Sequence, residues 1–210
     1  MLPKVSIYRG RYAVNLSDAQ WDRSISVFPK KERDHINSFR KDDDRHCRLI
    51  GRQLLERALT DHGFQEVLMS ELKRGPQGKP LLNEAHFNIS HSGDMVLLAF
   101  STEVPVGIDV EKVRPIEHQK FVKQFHEEEL RDFEEARISE DRFFEYWTRK
   151  EAVIKAIGKG LKKPLIDFQV RALGPLELDD DGSWYLSEVQ VSNEYKACLC
   201  TPNEVWVEYV

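Results

Sequence analysis

Residues 87–111 have the sequence FNISHSGDMVLLAFSTEVPVGIDVE, in which three short apolar runs alternate with turn-forming residues. The turns fall at 92–94 and at 102–105, and each run between them has the length of a strand rather than that of a helix. We therefore predict three neighbouring β-strands in the middle of the chain.

Strand and helix signals precede this stretch. The segment KVSIYRGRYAV, residues 4–14, is rich in β-branched and aromatic residues and predicts a strand. Ser17 and Gln20 form the pattern of a capping box, which predicts a helix that extends to about Phe28. Apolar residues recur at helical spacing over residues 43–62 and predict a longer helix.

Helical and then strand-like sequence follows. A charged helical region is predicted at 117–157, where glycines end it. This order of elements, without a low-complexity linker, predicts an α+β fold with two halves. The predicted strands of a second sheet lie at 167–173, 184–191, 195–200 and 205–209.

The composition excludes several classes of protein. A chain of 210 residues, 40% of them hydrophobic, can bury a core without disulfide bonds. Its three cysteines, Cys47, Cys198 and Cys200, form no Cys-x2-Cys pair, which argues against a disulfide framework or a zinc site and favours the cytoplasm. We expect neither secretion nor membrane insertion, because the longest apolar run, at 95–100, is too short to span a bilayer. The net charge of -5 does not favour binding to nucleic acid.

The third predicted strand carries two acids. Side chains alternate along VGIDVE, residues 106–111, so Gly107, Asp109 and Glu111 share one face. Residues two apart on a strand are separated by about 7 Å, so both carboxylates can converge on one hard cation. Gly107 would clear space beside them. The alternative is an ordinary half-buried strand with a solvated acidic face.

A second group lies on the helix predicted at 143–157. Lys150 falls at the centre of an apolar stripe, where a cation is costly unless an anion meets it or its amine reaches water. Glu151 and Lys155 are one turn apart and form either a surface ion pair or part of a site. The stripe consists of Phe143, Trp147, Ile154 and Ile157.

The third group is FNISHSG, residues 87–93. Ser90 and His91 invite a hydrolase interpretation, but neighbours on a strand point to opposite faces and the sequence has no Gly-x-Ser-x-Gly elbow. A phosphate-binding turn built from a hydroxyl, backbone amides and an imidazole fits better. Other basic residues either add phosphate contacts or form a solvated face: Lys30, Lys31, Arg33, Arg40, Lys41, Arg45, Arg48 and Lys79.

The motifs occur in a specific order, GKP at 78–80, FNISHSG at 87–93, GIDVE at 107–111 and WTRKEAVIKAIGKGL at 147–161. This succession, over roughly residues 25–170, resembles the 4'-phosphopantetheinyl transferases of the Sfp type. The signatures of that family are close to N-x-S-H-S-G, G-x-D-x-E and W-x-x-K-E-x-x-x-K, and the pairing of the last two is specific.

The resemblance implies an α+β fold of two similar α/β subdomains related by a pseudo-twofold axis, each an antiparallel sheet packed with helices. The halves are expected at 1–104 and 105–210, with the active site in the cleft between them. The implied reaction moves the phosphopantetheine arm of coenzyme A to a serine of an apo acyl or peptidyl carrier protein and releases adenosine 3',5'-bisphosphate. The implied metal is Mg²⁺, with Mn²⁺ as the alternative, and the expected enzyme is a cytoplasmic monomer.

The resemblance also implies residue roles. Asp109, Glu111 and Glu151 are expected to hold the metal, and Glu151 is a candidate base for the serine hydroxyl. Lys155 is expected to contact the transferred phosphate, whereas Lys150 is either structural or phosphate-binding. The full set expected to bind coenzyme A is Lys79, Ser90, His91, Arg48, Arg45, Lys31 and Lys150.

Some assignments stay open. The family usually has an arginine near the position of Cys47, so either Arg45 or Arg48 is expected to serve the nucleotide. Glu129 lies near a further family acid, ambiguous by one residue. A module that binds coenzyme A without turnover could dispense with the acids, and a metal-dependent phosphohydrolase would use them with water as acceptor. The carrier is expected to dock on a basic and apolar segment: Lys112, Arg114, Lys120, Phe121, Val122 and Lys123.

Overall fold

The computed structural model describes residues 1–12, 16–64, 73–74, 80–82, 85–135, 140–160 and 163–210. Within these residues the chain forms two four-stranded sheets, a two-stranded ribbon and five α-helices, so the predicted α+β class is confirmed. None of the described helices combines the length and apolarity needed to cross a membrane.

The first half contains the strands β1 to β5 and three helices. The bounds are β1 (Lys4–Arg11), α1 (Asp18–Ser26), α2 (Lys30–Asn37), α3 (Asp42–Asp61), β2 (Lys73–Arg74), β3 (Pro80–Leu81), β4 (His86–Ser92) and β5 (Met95–Ser101). The predicted capping box at Ser17 and Gln20 is present and begins α1. Three aspartates in the first turn of α3 complement the positive end of its dipole. The short helix α2 was not predicted.

The second half contains β6 to β10 and two helices. The bounds are β6 (Gly107–Lys112), α4 (Glu127–Glu135), α5 (Glu140–Ile157), β7 (Gly174–Leu178), β8 (Gly182–Glu188), β9 (Tyr195–Thr201) and β10 (Trp206–Tyr209). Single 3₁₀ turns occur at His118–Lys120, Val122–Gln124 and Leu165–Asp167. The predicted helical region at 117–157 is therefore two 3₁₀ turns followed by two helices.

The two halves repeat one topology. The first sheet has the strand order β10-β1-β5-β4 and the second has β6-β9-β8-β7. In each half a first strand leads to a long helix and then to further strands. The last strand, β5 in the first half and β9 in the second, pairs antiparallel with both the first strand and the strand that precedes it in the chain. This repeat agrees with the predicted pair of similar subdomains.

The last strand departs from the predicted division of the chain. Strand β10 pairs in parallel with β1, although it was expected in the second sheet. Residues 206–209 thus belong to the sheet of the first half. The three predicted strands of the middle stretch also separate, because β4 and β5 pair with each other while β6 pairs with β9.

The strand predicted at 167–173 is wrong. The backbone groups of this segment bond to side chains of the neighbouring helices, so they are not available to a sheet ladder. Val170 N–H donates to Glu129 of α4, and the carbonyls of Phe168 and Val170 accept from Lys150 and Arg149 of α5. The strand of this region is β7, which begins at Gly174.

The core lies in layers on both faces of each sheet. Along β5, Met95, Leu97 and Ala99 face the second sheet, where they pack with Ile108 and Val110 of β6. The alternate residues of β5 pack with apolar residues of α3, and the outer face of the second sheet packs with α5. The three cysteines are buried and free.

Candidate active site

Helix α5 packs directly on β6 at Gly107. A Cβ atom at this position would lie 2.2 Å from the carbonyl oxygen of Ala152 and 2.3 Å from the backbone nitrogen of Ala156. Only glycine permits this contact between backbones. The space beside the acids that Gly107 was predicted to clear is therefore filled by α5, and this packing places Glu151 and Lys155 above the acidic face of β6.

Asp109 is a buried carboxylate with one engaged oxygen. Its Oδ1 accepts the hydroxyl of Ser90 at 2.7 Å and lies 2.5 Å from Lys155 Nζ, which also lies 2.9 Å from Ser90 Oγ. Burial raises the pKa of Asp109, and the Lys155 ammonium opposes this shift. Oδ2 of Asp109 is buried without a hydrogen-bond partner in the described part of the chain.

The three predicted metal ligands share one electrostatic environment. Burial raises the pKa of Glu151, the charges of Asp109 and Glu111 raise it further, and Lys155 lowers it. The charge of Glu111 likewise contributes to the raised pKa of Asp109. The two acids of the strand and the acid of the helix are thus close enough for their charges to act on one another.

The donor set fits a hard cation. Carboxylate oxygens are the ligands that Mg²⁺ prefers, and Asp109 Oδ2 is an oxygen without a hydrogen bond. Over the described ranges, no three His, Cys, Asp or Glu side chains already stand in a metal-binding arrangement. The cation that Asp109 contacts is Lys155.

A ladder of side chains joins the two sheets beside the acids. Strands β4 and β6 are edge strands of their sheets and lie against each other. Three alternate side chains of β4 accept hydrogen bonds from the backbone N–H groups of three alternate residues of β6. These N–H groups at the edge of β6 thus find their acceptors in the other sheet. The pairs are Asn88 with Ile108 (2.9 Å), Ser90 with Val110 (3.3 Å) and Ser92 with Lys112 (3.1 Å).

Asn88 and Ser92 were missed as site residues by sequence reasoning. The signal that could have found them is the alternation N-x-S-x-S, which places three short polar side chains on one face of a strand between apolar neighbours. Such a face requires polar partners when it is buried. The partners lie on β6, which belongs to the other sheet.

His91 lies on the other face of β4 from Ser90, as alternation predicts, so the two residues do not form a catalytic dyad. Burial lowers the pKa of His91, and the positive charges of Arg48 and Lys155 lower it further. Arg48, on α3, stacks over the ring of Phe39 at 4.8 Å. The positive charges of Arg48 and Lys155 thus act on His91, and positive charge beside an imidazole suits an anion.

Lys150 has a structural position. It is fully buried, and its ammonium contacts Glu129 Oε2 at 2.8 Å and donates to the carbonyls of Leu165 and Phe168 at 2.7 and 2.6 Å. These three oxygens use its three donors, so none is left for a phosphate. We therefore do not retain Lys150 as a coenzyme A-binding residue, and its amine does not reach water.

Glu129 is the acid that meets this buried cation. Its two oxygens also accept the backbone N–H groups of His126 at 2.9 Å and Val170 at 2.8 Å. Burial lowers the pKa of Lys150, and the charge of Glu129 opposes that shift. The structure thus selects Glu129 from the triple glutamate at 127–129 as the partner of Lys150.

The remaining predicted residues have varied positions. Lys79 lies outside the described residues, and Lys31 is exposed on α2. Arg45 forms an ion pair with Asp42 and lies over the ring of Trp21. Of the two candidate arginines, Arg48 is thus the one whose charge acts on His91.

The predicted docking segment is only partly exposed. Phe121 packs edge-on against Phe143 and Trp147, so part of its ring belongs to the core. Arg114 pairs with Glu111 at 3.1 Å. Lys112 lies near the ring of Tyr195, whereas Lys120, Val122 and Lys123 are exposed.

Comparison with known proteins identifies this arrangement. The family model described as the 4'-phosphopantetheinyl transferase superfamily matches residues 105–203, and the model of the 4'-phosphopantetheinyl transferase N-terminal region matches residues 15–103. The 4'-phosphopantetheinyl transferase Sfp of Bacillus subtilis (strain 168) is 33% identical over 196 residues, which cover 88% of this chain and 87% of that protein. The chain belongs to the Sfp-type 4'-phosphopantetheinyl transferase family.

Two further matches come from other organisms. A 4'-phosphopantetheinyl transferase gsp of Aneurinibacillus migulanus is 40% identical over 103 residues, 47% of this chain and 42% of that protein. The L-aminoadipate-semialdehyde dehydrogenase-phosphopantetheinyl transferase of Mus musculus is 30% identical over 184 residues, 78% of this chain and 58% of that protein. As a member of this transferase family, the chain is an enzyme, and its acids and Lys155 lie where its two halves meet.

Proposed function

We propose that the enzyme transfers the 4'-phosphopantetheine arm of coenzyme A to a serine of an apo acyl or peptidyl carrier protein and releases adenosine 3',5'-bisphosphate. The observation that carries this proposal is the contact between Lys155 and Asp109 beside Glu151, at the junction of the two halves. A cation and several carboxylates at one place suit a reaction on a pyrophosphate, whose charge must be both bound and neutralised.

The proposed metal is Mg²⁺, with Mn²⁺ as an alternative, held by Asp109, Glu111 and Glu151. Support comes from their oxygen donors, from their mutual electrostatic effect and from Asp109 Oδ2, which has no hydrogen-bond partner among the described residues. When bound, the ion would supply neutralisation of charge on the pyrophosphate and alignment for in-line displacement.

Lys155 and Glu151 have distinct proposed roles in the transfer. The carrier serine oxygen forms a bond to the phosphorus that bears the pantetheine arm, and the bond from this phosphorus to the leaving bisphosphate oxygen breaks. The Lys155 ammonium neutralises the transferred phosphate. Glu151 accepts the proton of the serine hydroxyl, a role that its position beside Asp109 and Lys155 supports.

Coenzyme A would be bound beside His91, where the positive charges of Arg48 and Lys155 act. His91 and Arg48 are the proposed contacts of its 3'-phosphate, supported by their shared electrostatics. Lys79, Arg45 and Lys31 remain further proposed contacts on the strength of the motif order alone. The Ser90 hydroxyl is already engaged by Asp109 and Val110, so we assign it to the acids rather than to the cofactor.

The carrier protein would dock on the exposed basic residues that follow β6. Lys120 and Lys123 are exposed next to the apolar side chain of Val122, and Arg114 is exposed beside Glu111. Positive side chains around an apolar centre suit an acidic partner, since complementary charge speeds and orients its approach. We further propose a monomeric cytoplasmic enzyme.

The test is incubation of the protein with coenzyme A, Mg²⁺ and an apo carrier, followed by mass measurement of the carrier and chromatography of the nucleotide. We expect a carrier heavier by one phosphopantetheine and an equal amount of adenosine 3',5'-bisphosphate. Coenzyme A retained without modification of the carrier would indicate a binding module. Cleavage of coenzyme A without a carrier would indicate a phosphohydrolase. Removal of divalent ions with a chelator should stop the reaction, and Asp109→Asn serves as the inactive control.

A further inference from the structure

Two serines of β4 make the same pair of hydrogen bonds, two residues apart. The hydroxyl of Ser90 donates to Asp109 Oδ1 at 2.7 Å and accepts the N–H of Val110 at 3.3 Å. The hydroxyl of Ser92 donates to Glu111 Oε2 at 2.6 Å and accepts the N–H of Lys112 at 3.1 Å. In each case one hydroxyl fixes an acid side chain and the backbone of the following residue.

This pair of hydrogen bonds restrains the acid side chain more than a single contact would. An acid on a strand can rotate about its side-chain torsions while the backbone stays in register. The Ser92 hydroxyl bonds to the carboxylate of Glu111 and to the backbone N–H of Lys112. One oxygen atom of β4 therefore restrains both the end of the Glu111 side chain and the backbone next to it. The ladder as a whole also holds β6 at a fixed position relative to β4, because Asn88 adds a third bond at Ile108.

Two side chains contact the carboxylate of Glu111. Besides Ser92, the guanidinium of Arg114 lies 3.1 Å from the same Oε2 atom. Arg114 is three residues away on the same chain segment and is exposed, so its pairing is weak. Ser92 belongs to the other half of the molecule and is half-buried, which makes it the firmer of the two restraints.

We propose that Ser92, and with it Ser90, is a positioning residue that holds Glu111 and Asp109 in the orientation needed to bind the divalent cation. The proposal rests on the proposed function, since it assigns these acids to the metal. Residues that hydrogen-bond to metal ligands fix ligand orientation, and their loss typically weakens metal affinity by about 10- to 100-fold. Ser92 links the coenzyme A-binding half to the acidic strand, so the metal site is assembled only when both halves are in register.

The experiment measures metal affinity directly. Free Mn²⁺ is followed by electron paramagnetic resonance during titration of the protein saturated with coenzyme A, so the readout needs no turnover. We expect Ser92→Ala to weaken Mn²⁺ binding about tenfold. Kinetics with Mg²⁺ should show a matching rise in the Mg²⁺ concentration that gives half the maximal rate, with a smaller change in KM for coenzyme A at saturating Mg²⁺.

A matched pair of variants separates the hydroxyl from the packing. Ser92→Thr keeps the hydroxyl and Ser92→Val replaces it by a methyl group in a side chain of nearly the same shape. Threonine should retain most of the Mn²⁺ affinity and valine should lose it. This pair keeps the test decisive even if Ser92→Ala does not fold.

Ser101 provides the control for loss of a buried serine. Its hydroxyl donates to the carbonyl of Lys4 at 2.7 Å and accepts the N–H of Glu103 at 3.1 Å, on a strand of the same sheet but away from the acids. Ser101→Ala should lower the free energy of unfolding and leave Mn²⁺ affinity unchanged.

The outcomes distinguish the positioning role of Ser92 from the proposed function. If the wild-type complex binds Mn²⁺ and folded Ser92→Ala and Ser92→Val bind it equally well, the positioning role is wrong and the proposed function stands. If the wild-type complex binds no Mn²⁺, the proposed metal is wrong and the positioning role falls with it. Equal weakening in Ser92→Thr and Ser92→Val would also overturn the proposal, because it would assign the effect to side-chain shape.

Discussion

Lys155 Nζ lies 2.5 Å from Oδ1 of Asp109, so the lysine expected to contact a phosphate is held by the acid expected to hold a metal. The carboxylate is almost fully buried, and the ammonium is its countercharge across the contact between α5 and β6. For Lys155 to reach the transferred phosphate, it must exchange at least part of this contact for the substrate.

Replacement of Lys155 by methionine should therefore have two effects. The rate constant kcat should fall with a smaller change in KM for coenzyme A, because the phosphate contact matters most in the transition state. The substrate-free protein should also lose about 3 kcal/mol of unfolding free energy, since a buried carboxylate is left without its partner. Urea unfolding and steady-state kinetics measure the two quantities. Lys155→Arg is the control that keeps the charge, and a larger change in KM than in kcat would make Lys155 a binding residue instead.

Even a small substitution at Gly107 should lower both stability and activity strongly. Gly107→Ala places a methyl group against the backbone of Ala152 and Ala156, which cannot move without shifting α5. We expect a loss of more than about 3 kcal/mol of unfolding free energy and of most activity, measured by chemical denaturation and the carrier assay.

Gly51 offers a comparison in a helix. A Cβ there would lie 3.3 Å from Ile89 Cγ2, a side-chain atom that can adjust. Gly51→Ala should therefore remain within about 1 kcal/mol of the wild type, with the gain in helix propensity set against the tight contact. Equal effects of the two substitutions would contradict the role given to the contact at Gly107.

The buried pair of Lys150 and Glu129 should behave as a unit. Lys150→Met leaves the Glu129 carboxylate buried without its cation and should cost about 3–5 kcal/mol of unfolding free energy. The double variant Lys150→Met with Glu129→Gln should cost less than the sum of the single variants, because no uncompensated charge remains. A double-mutant cycle by urea unfolding measures this coupling. Additive losses would show that the two residues act independently.

His91 should make stability depend on pH with a defined sign. Its pKa in the folded protein lies below the ordinary value of 6.5, so the unfolded chain binds a proton first as pH falls. The stability that neutral His91 contributes is present above pH 6.5 and is lost as pH falls toward the lower folded-state pKa. We expect the unfolding free energy of the wild type to fall more steeply than that of His91→Gln in this range. Parallel pH curves would contradict the lowered pKa.

The same histidine gives a test with the cofactor. If His91 binds the 3'-phosphate, the phosphate raises its pKa and binding takes up a proton. Affinity for coenzyme A should then rise as pH falls from 8 to 6, whereas affinity for the analogue without the 3'-phosphate should change less. Calorimetric titration in two buffers of different ionisation enthalpy measures the proton uptake. Equal pH dependence for both ligands would exclude the contact.

Local sequence signals predicted elements well where the partners are local. The capping box at Ser17 marks the start of α1, and the apolar spacing over 43–62 marks α3 within one residue at each end. Alternation correctly placed Asp109 and Glu111 together on one face of β6. These features depend on backbone geometry and on neighbours within a few residues, so a single sequence contains them.

Features that depend on distant partners were not predictable. The segment at 167–173 has the composition of a strand, but the buried Glu129 and Lys150 take its backbone groups. Gly107 was predicted to clear space beside the acids, but the sequence of the strand does not show that α5 fills this space. Ser92 was missed because its two partners, Glu111 and Lys112, are joined to it only by the packing of two edge strands.

Strand β10 has a consequence for any attempt to divide this molecule. A cut between residues 104 and 105 would leave the fragment 1–104 without the strand that covers the outer edge of β1. The missing strand remains on the other fragment, whose own apolar face also needs the first sheet as cover. Each fragment should therefore be unstable and prone to aggregate alone, and the two should reassemble when mixed. The enzyme would then be a suitable basis for a split reporter.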